Sequence, residues 1–543
     1  MLLTLLAVPF LAFGDLATAV GDPPTVPLIA ISANDVTCDF NTNGLSSIKW
    51  NNTEFLSSNV CRMNWVGMVQ PDGAINTADS ASTTSVNVSS KTITASYGWG
   101  TLTCAYSTEA NRLLIDVTIA NTSALAMDSF ILALPELKFP ETPREFTTNI
   151  SMLGHNIAAP TVFTASFGSG IMAVTNEAVT EPLMVALPWP LESTHTVFPL
   201  MVNTGRNSMY PTSLPRINRP IPAGGSLHFR LALRFGPPGS SVPQLAGDIF
   251  QKYAAAFPFT FHWADRRPIA EIIMCRSATG WPTNPRGWFN DPTVDVTTAA
   301  GLAHFRARMF AYADRCIAVE KSVNAQGIVA WDMEGEEFPH GTSFIGDPRL
   351  IDTLAPEASG LIDEWFAKFR AAGLRIGATL RPQKIVLTNH NTGAFQQELN
   401  DPSQNLIDKI TYAKNRWGMS IFYIDSNGDK NSPVDTRYMA RVAAAHPDVL
   451  LIPEMSTVGY HAFCAPYGSV ADGDLGASAD ALNIYPKAVR TIVTSDADLA
   501  RNHAALVRAV RRGNILFFRG WWDGAPELPQ VKSIYHEAHA PAQ

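Results

Sequence analysis

The chain has little cysteine and little charge. Six cysteines occur among 543 residues, and none stands in a Cys-x-x-Cys or Cys/His spacing that binds zinc. They are too sparse for a disulfide scaffold, and we expect Cys275 and Cys464, which lie in or beside apolar strand-like runs, to be buried thiols. Charged residues make up 16% of the chain, its net charge is -8 and it has no basic tract. This balance argues against nucleic acid or an anionic membrane as a partner.

Long apolar runs are also scarce. Residues 2–13 form an apolar run of about signal-peptide length, and Ala17-Thr18-Ala19 supplies a small-residue cleavage pattern, although no Lys or Arg precedes the run. We therefore predict a signal peptide over residues 1–19 and a secreted or periplasmic protein. No other run approaches the ~20 apolar residues that a membrane-spanning helix needs, so we expect no membrane span.

Several catalytic motifs are absent from the sequence. It has no Gly-x-Ser-x-Gly elbow, no P-loop and no dinucleotide fingerprint. A metal-dependent hydrolase barrel would carry His-x-His after its first strand, whereas residues 273–277 read Ile-Met-Cys-Arg-Ser. We therefore expect neither a metal nor a cofactor.

What the chain does contain falls into two patterns. Over residues 26–240, short segments with period-two alternation, such as Thr92-Ile-Thr-Ala-Ser-Tyr97, are separated by Gly, Asn, Ser and Thr. This pattern predicts an N-terminal antiparallel β-sandwich. After a helical linker at 241–264, apolar strands alternate with amphipathic helices over residues 265–523, which predicts a (β/α)8 TIM barrel. Residues 524–543 remain as a C-terminal tail, and the fold class is multidomain β plus α/β.

The eight barrel strands are predicted from apolar runs of four to seven residues. We place them at residues 269–275, 327–331, 374–380, 421–424, 449–453, 460–465, 489–494 and 515–518. Amphipathic helices lie between most of them, for example at residues 299–322 and 436–445.

Acidic residues collect where these strands end. Strand four stops at Asp425 and strand five stops at Glu454. Because the carboxyl ends of barrel strands build the active face, we expect both side chains there. Residues that follow the other strand ends are candidates for binding the substrate: Trp281, Trp331, Asp332, Glu334, Arg381, Asp496, Arg519 and Trp521.

Hydrolysis of a glycosidic bond uses two carboxyl groups at one face. One protonates the leaving oxygen, and the other attacks the anomeric carbon or activates water. Neighbouring barrel strands are ~4.8 Å apart, so Asp425 and Glu454 can come within the ~5–5.5 Å of a retaining pair. The longer side chain of Glu454 suits the acid, and close like charges raise one pKa so that this acid keeps its proton near neutral pH.

The order of the two domains resembles that of retaining α-glycosidases. A β-sandwich before a barrel, with Asp ending strand four, is similar to glycoside hydrolase families 31 and 36 and to the endo-α-N-acetylgalactosaminidases. Similarity to families 31 and 36 implies that Asp425 is the nucleophile and that the acid follows strand six, where Asp472 and Asp474 stand. The Lys-x-Asp that is common in family 36 is absent, because Tyr423 occupies the place of the Lys.

A second pattern within this resemblance points to another acid. In the α-amylase-like and endo-α-N-acetylgalactosaminidase pattern the acid is a Glu that ends strand five, which matches Glu454. The α-amylase-like pattern also has an Asp after strand seven that stabilises the transition state, and Asp496 would be its match.

Asp425 also begins a segment that suggests a calcium loop. Asp425, Asn427 and Asp429 occupy positions one, three and five of such a loop. However, Lys430 stands where the EF-hand loop requires Gly, and Thr436 where it requires Glu. The match to a calcium loop is therefore poor.

The other candidates have structural alternatives. Asp332 and Glu334 are equally suited to ion pairs with Arg381 or Arg349, and Glu454 to a pair with Arg381. Asp496 is placed to cap the following helix, and Trp521 to pack in the core.

These patterns predict a glycoside hydrolase, retaining and specific for α-linked sugars, with an oligosaccharide, polysaccharide or other glycoside as substrate. The competing hypothesis is a non-catalytic carbohydrate-binding or surface protein on the same scaffold. The acids at strands two, four and five favour the enzyme.

Overall fold

The computed structural model describes most of the chain after the predicted signal peptide, which lies outside it. The described residues are 36–143, 145–151, 160–181, 184–186, 196–204, 220–275, 280–335, 345–388, 393–428, 435–494, 499–521 and 525–540.

Antiparallel sheets form the N-terminal half. The eight-stranded sheet has the spatial order Glu145–Ser151, Pro160–Phe167, Gly170–Asn176, Ser226–Gly236, Arg112–Asn121, Gly100–Glu109, Thr92–Tyr97 and Thr83–Asn87. The six-stranded sheet has the order Met184–Ala186, Val197–Asn203, Met127–Lys138, Arg62–Val69 and Ile75–Thr77, with Leu56–Ser58 paired to Met127–Lys138. A three-stranded sheet contains Val36–Asn41, Gly44–Trp50 and Thr53–Glu54.

One hydrophobic core lies between the two large sheets. In the strand Thr92–Tyr97 the side chains of Ile93, Ala95 and Tyr97 are buried, while the intervening residues are more exposed. Phe130 of the six-stranded sheet belongs to the same core. The period-two pattern in the sequence therefore marks the inner faces of these sheets.

A helix, Val242–Ala256, joins the sheets to the C-terminal half. Ser241 caps its first turn through a reciprocal capping box. The buried guanidinium of Arg234 contacts Glu177 at 2.8 Å and Asp248 of the helix at 2.5 Å. This ion-pair network fixes the helix to the eight-stranded sheet, because a buried charge is costly without its partners.

Eight parallel strands form the sheet of the C-terminal half. We number them one to eight along the chain: Ile269–Ile272, Gly327–Ala330, Gly377–Leu380, Ile421–Ile424, Leu450–Pro453, Tyr467–Ser469, Thr491–Val493 and Ile515–Arg519. Their spatial order is five, four, three, two, one, eight, seven, six. At the remaining gap, the amide of Ala465 donates to the carbonyl of Leu451 at 3.1 Å. The sheet is therefore a nearly closed barrel, as the alternating pattern predicted.

Helices lie between most of these strands. The α-helices are Val242–Ala256, Ala299–Ser322, Ile351–Leu354, Leu361–Ala371, Ser403–Trp417, Thr436–Ala445, Ala479–Ile484, Leu499–Arg511 and Leu528–His539. Short 3-10 helices cover Pro348–Leu350, Pro356–Ala358 and Val458–Ala462, and a hairpin of Lys384–Thr388 and Gly393–Gln397 follows strand three. Within the described residues, no helix has both the length and the hydropathy that crossing a bilayer demands.

The sixth strand lies later in the chain than predicted. The apolar run at residues 460–465 is not a strand, since Val458–Ala462 is a 3-10 helix and the strand is Tyr467–Ser469. The ring of Tyr460 packs against that of Tyr438, with centroids 6.5 Å apart. A short buried run looks alike in a strand and in a helical turn, because both faces are apolar.

The interior of the parallel sheet changes from apolar to polar along the strands. Ile269, Val329 and Ile421 belong to an inner apolar cluster, against which the partly buried Trp331 and Tyr467 also pack. Charged side chains follow at the carboxyl ends. The strands therefore place a layer of aromatic side chains next to a layer of charged side chains at their carboxyl ends.

Candidate active site

Asp425 and Glu454 lie side by side at the carboxyl ends of strands four and five. Ile424 and Pro453 are register partners in these parallel strands, so the residues that follow them are neighbours. The amide of Glu454 donates to the carbonyl of Ile424 at 3.0 Å. The amide of Ser426 in turn donates to Oε2 of Glu454 at 2.7 Å. We call Asp425 and Glu454 the carboxyl pair.

The two members of the carboxyl pair are electrostatically coupled. Burial is the largest cause that raises the pKa of Glu454, followed by the negative charge of Asp425. The hydrogen bond from the amide of Ser426 and the charge of Arg381 act in the opposite direction. A raised pKa lets Glu454 keep its proton to a higher pH, as the acid of a catalytic pair must.

Arg381 neutralises part of the charge of the carboxyl pair. It follows strand three, and its Nη2 lies 2.6 Å from Oδ2 of Asp425. The two side chains are 6% and 10% exposed, so this salt bridge is largely screened from water. Sequence analysis offered a pair between Arg381 and Glu454 as an alternative, whereas the salt bridge in the structure joins Arg381 to Asp425.

An aromatic layer lies next to these charges. The ring of Tyr423 is 4.6 Å from that of Trp331 and 6.1 Å from that of Tyr467, centroid to centroid. Burial raises the pKa of Tyr423 well above its ordinary value, and the charges of Glu454 and Asp425 add to this. The aromatic rings and the carboxyl pair therefore belong to one site.

Sequence analysis missed three residues of this site: Glu271, Tyr423 and Tyr467. Glu271 lies in strand one, and its charge also contributes to raising the pKa of Tyr423. The prediction considered only the residues that follow each strand, whereas Glu271 and Tyr423 lie within strands. Period-two alternation within strand one, where Ile269 faces the interior, would have placed Glu271 on the inner face as well.

Glu334 lies beneath the site and is almost fully buried, with 1% of its surface exposed. Neither carboxyl oxygen has a hydrogen-bond partner within the described part of the chain. Burial raises its pKa to about 8, the charge of Asp347 adds to this, and the charge of Lys409 opposes it. The structure thus places Glu334 in a buried charge cluster rather than at the surface of the site.

Lys409 connects this cluster to Arg381. Its buried Nζ donates to the carbonyls of Arg381 at 2.6 Å, Gln383 at 3.0 Å and Gly346 at 3.2 Å. Nζ also lies 3.6 Å from Oδ2 of Asp347. Burial lowers the pKa of Lys409 to about 8. Lys409 therefore fixes the backbone that carries Arg381, whose side chain contacts the carboxyl pair.

Asp332 braces the ends of strands one and two. Its Oδ1 accepts the amide of Met274 at 2.8 Å, its Oδ2 accepts the amide of Cys275 at 2.5 Å, and its side chain is fully buried. The sequence offered substrate contact or an ion pair with Arg381 or Arg349. Arg349 pairs instead with Asp347, at 2.7 Å.

The other predicted substrate-binding residues that the structure describes are Arg519, Trp521 and Trp281. Arg519 forms two hydrogen bonds with Glu527, at 2.6 and 2.9 Å. Trp521 packs against the outer hydrophobic core. Trp281 is half-buried, and its backbone pairs with that of Asn284 in the loop after strand one. Asp496 lies outside the described residues.

The acids after strand six are more exposed than the carboxyl pair. Asp472 is exposed, and Asp474 forms a 2.7 Å salt bridge with Arg490. The charges of Asp472, Glu454 and Asp474 all raise the pKa of Tyr467. Both acids implied by families 31 and 36 therefore lie near the same aromatic ring as Glu454.

The calcium alternative finds little support in the contacts of its loop. The side-chain amide of Asn427 donates to the carbonyl of Met455 at 2.9 Å and accepts its N–H at 2.7 Å. Among the residues with described positions, no group of three or more His, Cys, Asp or Glu side chains is arranged to hold a metal ion. Asp429 is not among them.

Comparisons with known proteins return matches to solved structures alone. No family model matches the chain, and no curated protein matches it in sequence. The α-N-acetylgalactosaminidase NagBb from Bifidobacterium bifidum, in complex with GalNAc, is 8% identical with a TM-score of 0.48, over 93% of this chain and 91% of that chain. The GH36 α-galactosidase AgaA from Geobacillus stearothermophilus, in complex with stachyose, is 9% identical with a TM-score of 0.43, over 93% and 85%. A β-arabinopyranosidase is 9% identical with a TM-score of 0.41, over 93% and 85%.

The AgaA structure is a member of glycoside hydrolase family 36. This family is among those that the sequence resembles in its order of domains.

The buried carboxyl of Glu334 predicts a pH-dependent loss of stability. Its pKa is raised from 4.5 to about 8 in the folded chain, so its contribution is fully present below pH 4.5 and is lost as the pH rises through about 8. Between about pH 5 and pH 8 we expect the wild type to lose ~1–3 kcal/mol of unfolding free energy that Glu334→Gln keeps. Urea unfolding at a series of pH values measures this. Glu364→Gln, at an exposed ion pair, should follow the wild type, and equal pH slopes in Glu334→Gln and wild type would contradict the assignment.

The coupling of the carboxyl pair predicts a shift in the titration of Glu454. Asp425→Asn removes the negative charge that raises the pKa of Glu454, so we expect that pKa to move down towards its ordinary value of 4.5. Carboxyl 13C NMR of glutamate-labelled protein measures the change, with Glu454→Gln to assign the signal. Asp472→Asn, at an exposed position, should leave the titration unchanged. An unchanged Glu454 titration in Asp425→Asn would show that the two groups are not coupled.

Proposed function

We propose that this protein is a retaining glycoside hydrolase acting on α-linked sugars, built as a β-sandwich followed by a (β/α)8 barrel. The observation that carries the proposal is the carboxyl pair: two acids on neighbouring strand ends, coupled to each other, with Arg381 bonded to one of them. Glu454 is partly exposed, and Asp425, next to it, is 7% exposed.

In the proposed mechanism the two carboxyl groups have different roles. Glu454, whose pKa is raised, donates its proton to the leaving glycosidic oxygen while Asp425 attacks the anomeric carbon. Glu454 then takes a proton from water, which releases the sugar from Asp425 with net retention. Arg381 keeps the Asp425 carboxylate in one orientation, because a guanidinium restricts the carboxylate it pairs with.

The position of the carboxyl pair on neighbouring strands supports retention over inversion. Inverting enzymes leave ~6.5–9.5 Å between the two groups for a water molecule, and retaining enzymes ~5–5.5 Å. Asp425 and Glu454 directly follow the register partners Ile424 and Pro453 on neighbouring strands, which are ~4.8 Å apart. This placement supports the shorter spacing of a retaining pair.

The substrate class follows from the surroundings of the pair. The partly buried rings of Trp331 and Tyr467 lie beside the buried ring of Tyr423, and partly exposed aromatic rings stack on the apolar faces of sugars. The α configuration rests on the resemblance to families in which Asp ends strand four. We further propose that the protein acts outside the cytosol, which the signal-peptide pattern at residues 1–19 supports.

Variants of the carboxyl pair test the roles on a panel of aryl α-glycosides. We expect Asp425→Ala to lower turnover by several orders of magnitude on every substrate. We expect Glu454→Ala to do so for poor leaving groups and much less for dinitrophenol, which departs without a proton. Azide should restore turnover in both variants, giving the glycosyl azide of inverted configuration with Asp425→Ala and of retained configuration with Glu454→Ala.

Asp472→Ala is the matched control, because Asp472 is the competing acid after strand six. It should keep wild-type turnover and leaving-group dependence. If Asp472→Ala instead shows the leaving-group dependence expected of Glu454→Ala, the acid follows strand six. If sugars bind to the wild type and none is cleaved, the carbohydrate-binding alternative is correct.

A further inference from the structure

Two cysteine sulfurs approach each other closely in the N-terminal half. Sγ of Cys61 lies 2.9 Å from Sγ of Cys104, across a sequence separation of 43 residues. Both residues are free thiols in this structure. A disulfide bond is ~2.05 Å long, so an approach of about 0.9 Å would join them.

The two cysteines belong to different sheets. Cys61 immediately precedes the strand Arg62–Val69 of the six-stranded sheet. Cys104 lies within the strand Gly100–Glu109 of the eight-stranded sheet, where its neighbours across the ladder are Ile93 and Val117. A bond between them would therefore tie one sheet to the other across their shared core.

Other contacts already hold the two segments together. The amide of Met63, two residues after Cys61, donates to the hydroxyl oxygen of Tyr97 at 2.8 Å. Tyr97 ends the strand that pairs with Gly100–Glu109. The sulfurs are thus brought together by the packing of the sheets rather than by a chance rotamer of an exposed loop.

We propose that Cys61 and Cys104 form an intersheet disulfide in the mature protein. A soluble disulfide, such as glutathione disulfide or an oxidised dithiol oxidoreductase, is the oxidant. The Cys61 thiolate attacks it, forming a mixed disulfide and releasing one thiol. Cys104 then loses its proton and attacks the Cys61 sulfur, releasing the second thiol. The protein gives up two protons and two electrons, and the oxidant is reduced to two thiols.

The different exposure of the two thiols sets the order of these steps. Cys104 is fully buried and Cys61 is half-buried, so an oxidant from solvent reaches Cys61 first. A third cysteine, Cys38, lies nearby with its Sγ 3.8 Å from Nζ of Lys91. Cys61 is the partner that the geometry assigns to Cys104, since theirs are the sulfurs 2.9 Å apart.

The bond should stabilise the sheets by restricting the unfolded chain. Closing a loop of this length by a disulfide lowers the entropy of the unfolded chain. Disulfides of this kind persist in oxidising compartments outside the cytosol, which is where a protein exported by the predicted signal peptide would reside. The inference does not depend on the glycosidase activity.

Peptide mapping of the full-length protein tests the pairing. The protein is incubated with glutathione disulfide, its remaining thiols are blocked with N-ethylmaleimide under denaturing conditions, and it is digested with trypsin without reductant. We expect a cross-linked product of residues 50–62 and 92–112, which carry Cys61 and Cys104. Maleimide on both of these cysteines, or a link from Cys104 to the peptide that carries Cys38, would overturn the proposal.

Thermal unfolding provides a second test with matched variants. We expect the oxidised wild type to melt about 5–10 °C above the reduced wild type. Cys61→Ser should melt at one temperature in both conditions, because its half-buried site tolerates the change and the bond is lost. Cys38→Ser should keep the wild-type difference. A wild type that melts at the same temperature with and without reductant would contradict a stabilising intersheet bond.

Discussion

Arg381 places its guanidinium 2.6 Å from the carboxylate of Asp425, and the other features of the site are arranged around this contact. Two carboxyl groups on adjacent strand ends repel each other when both are charged. The guanidinium of Arg381 offsets part of that repulsion, while burial and the charge of Asp425 raise the pKa of Glu454. Lys409 secures the carbonyl of Arg381 from below. The ends of strands three, four and five are therefore joined by charge as well as by backbone hydrogen bonds.

Burying ionisable groups near the site lowers the stability of the fold, and the burial of apolar side chains around them offsets this cost. Ile269, Val329 and Ile421 belong to the apolar cluster of the barrel interior. Glu334 and Lys409 are buried ionisable residues. Groups of this kind are kept in folded proteins chiefly at functional sites, where stability is exchanged for a fixed arrangement of charge. The buried cluster next to Arg381 fits that pattern, because Lys409 holds the backbone carbonyl of Arg381.

Asp425 and Glu454 could be predicted from the sequence because each directly follows an apolar run that ends a strand. The sequence did not distinguish the acids that face the site from those that brace it: Asp332 holds two amides and Glu334 lies beneath the surface. Those differences depend on which neighbouring groups fold against each residue. Strand six was misplaced because residues 458–462 bury their apolar side chains as a helical turn. The contact between Cys61 and Cys104 was invisible because it depends on how two sheets pack.

If Asp425 is the proposed nucleophile, it becomes covalently linked to the sugar, and trapping that intermediate is the decisive test. A panel of 5-fluoro glycosyl fluorides slows release of the sugar more than its transfer to the enzyme. We expect an increase in mass of one fluoroglycosyl group, located by peptide sequencing to Asp425 within the tryptic peptide of residues 417–430. A label on residues 442–487, which carry Glu454 and the acids after strand six, would contradict it. So would hydrolysis of aryl glycosides with no label from the matching fluoride.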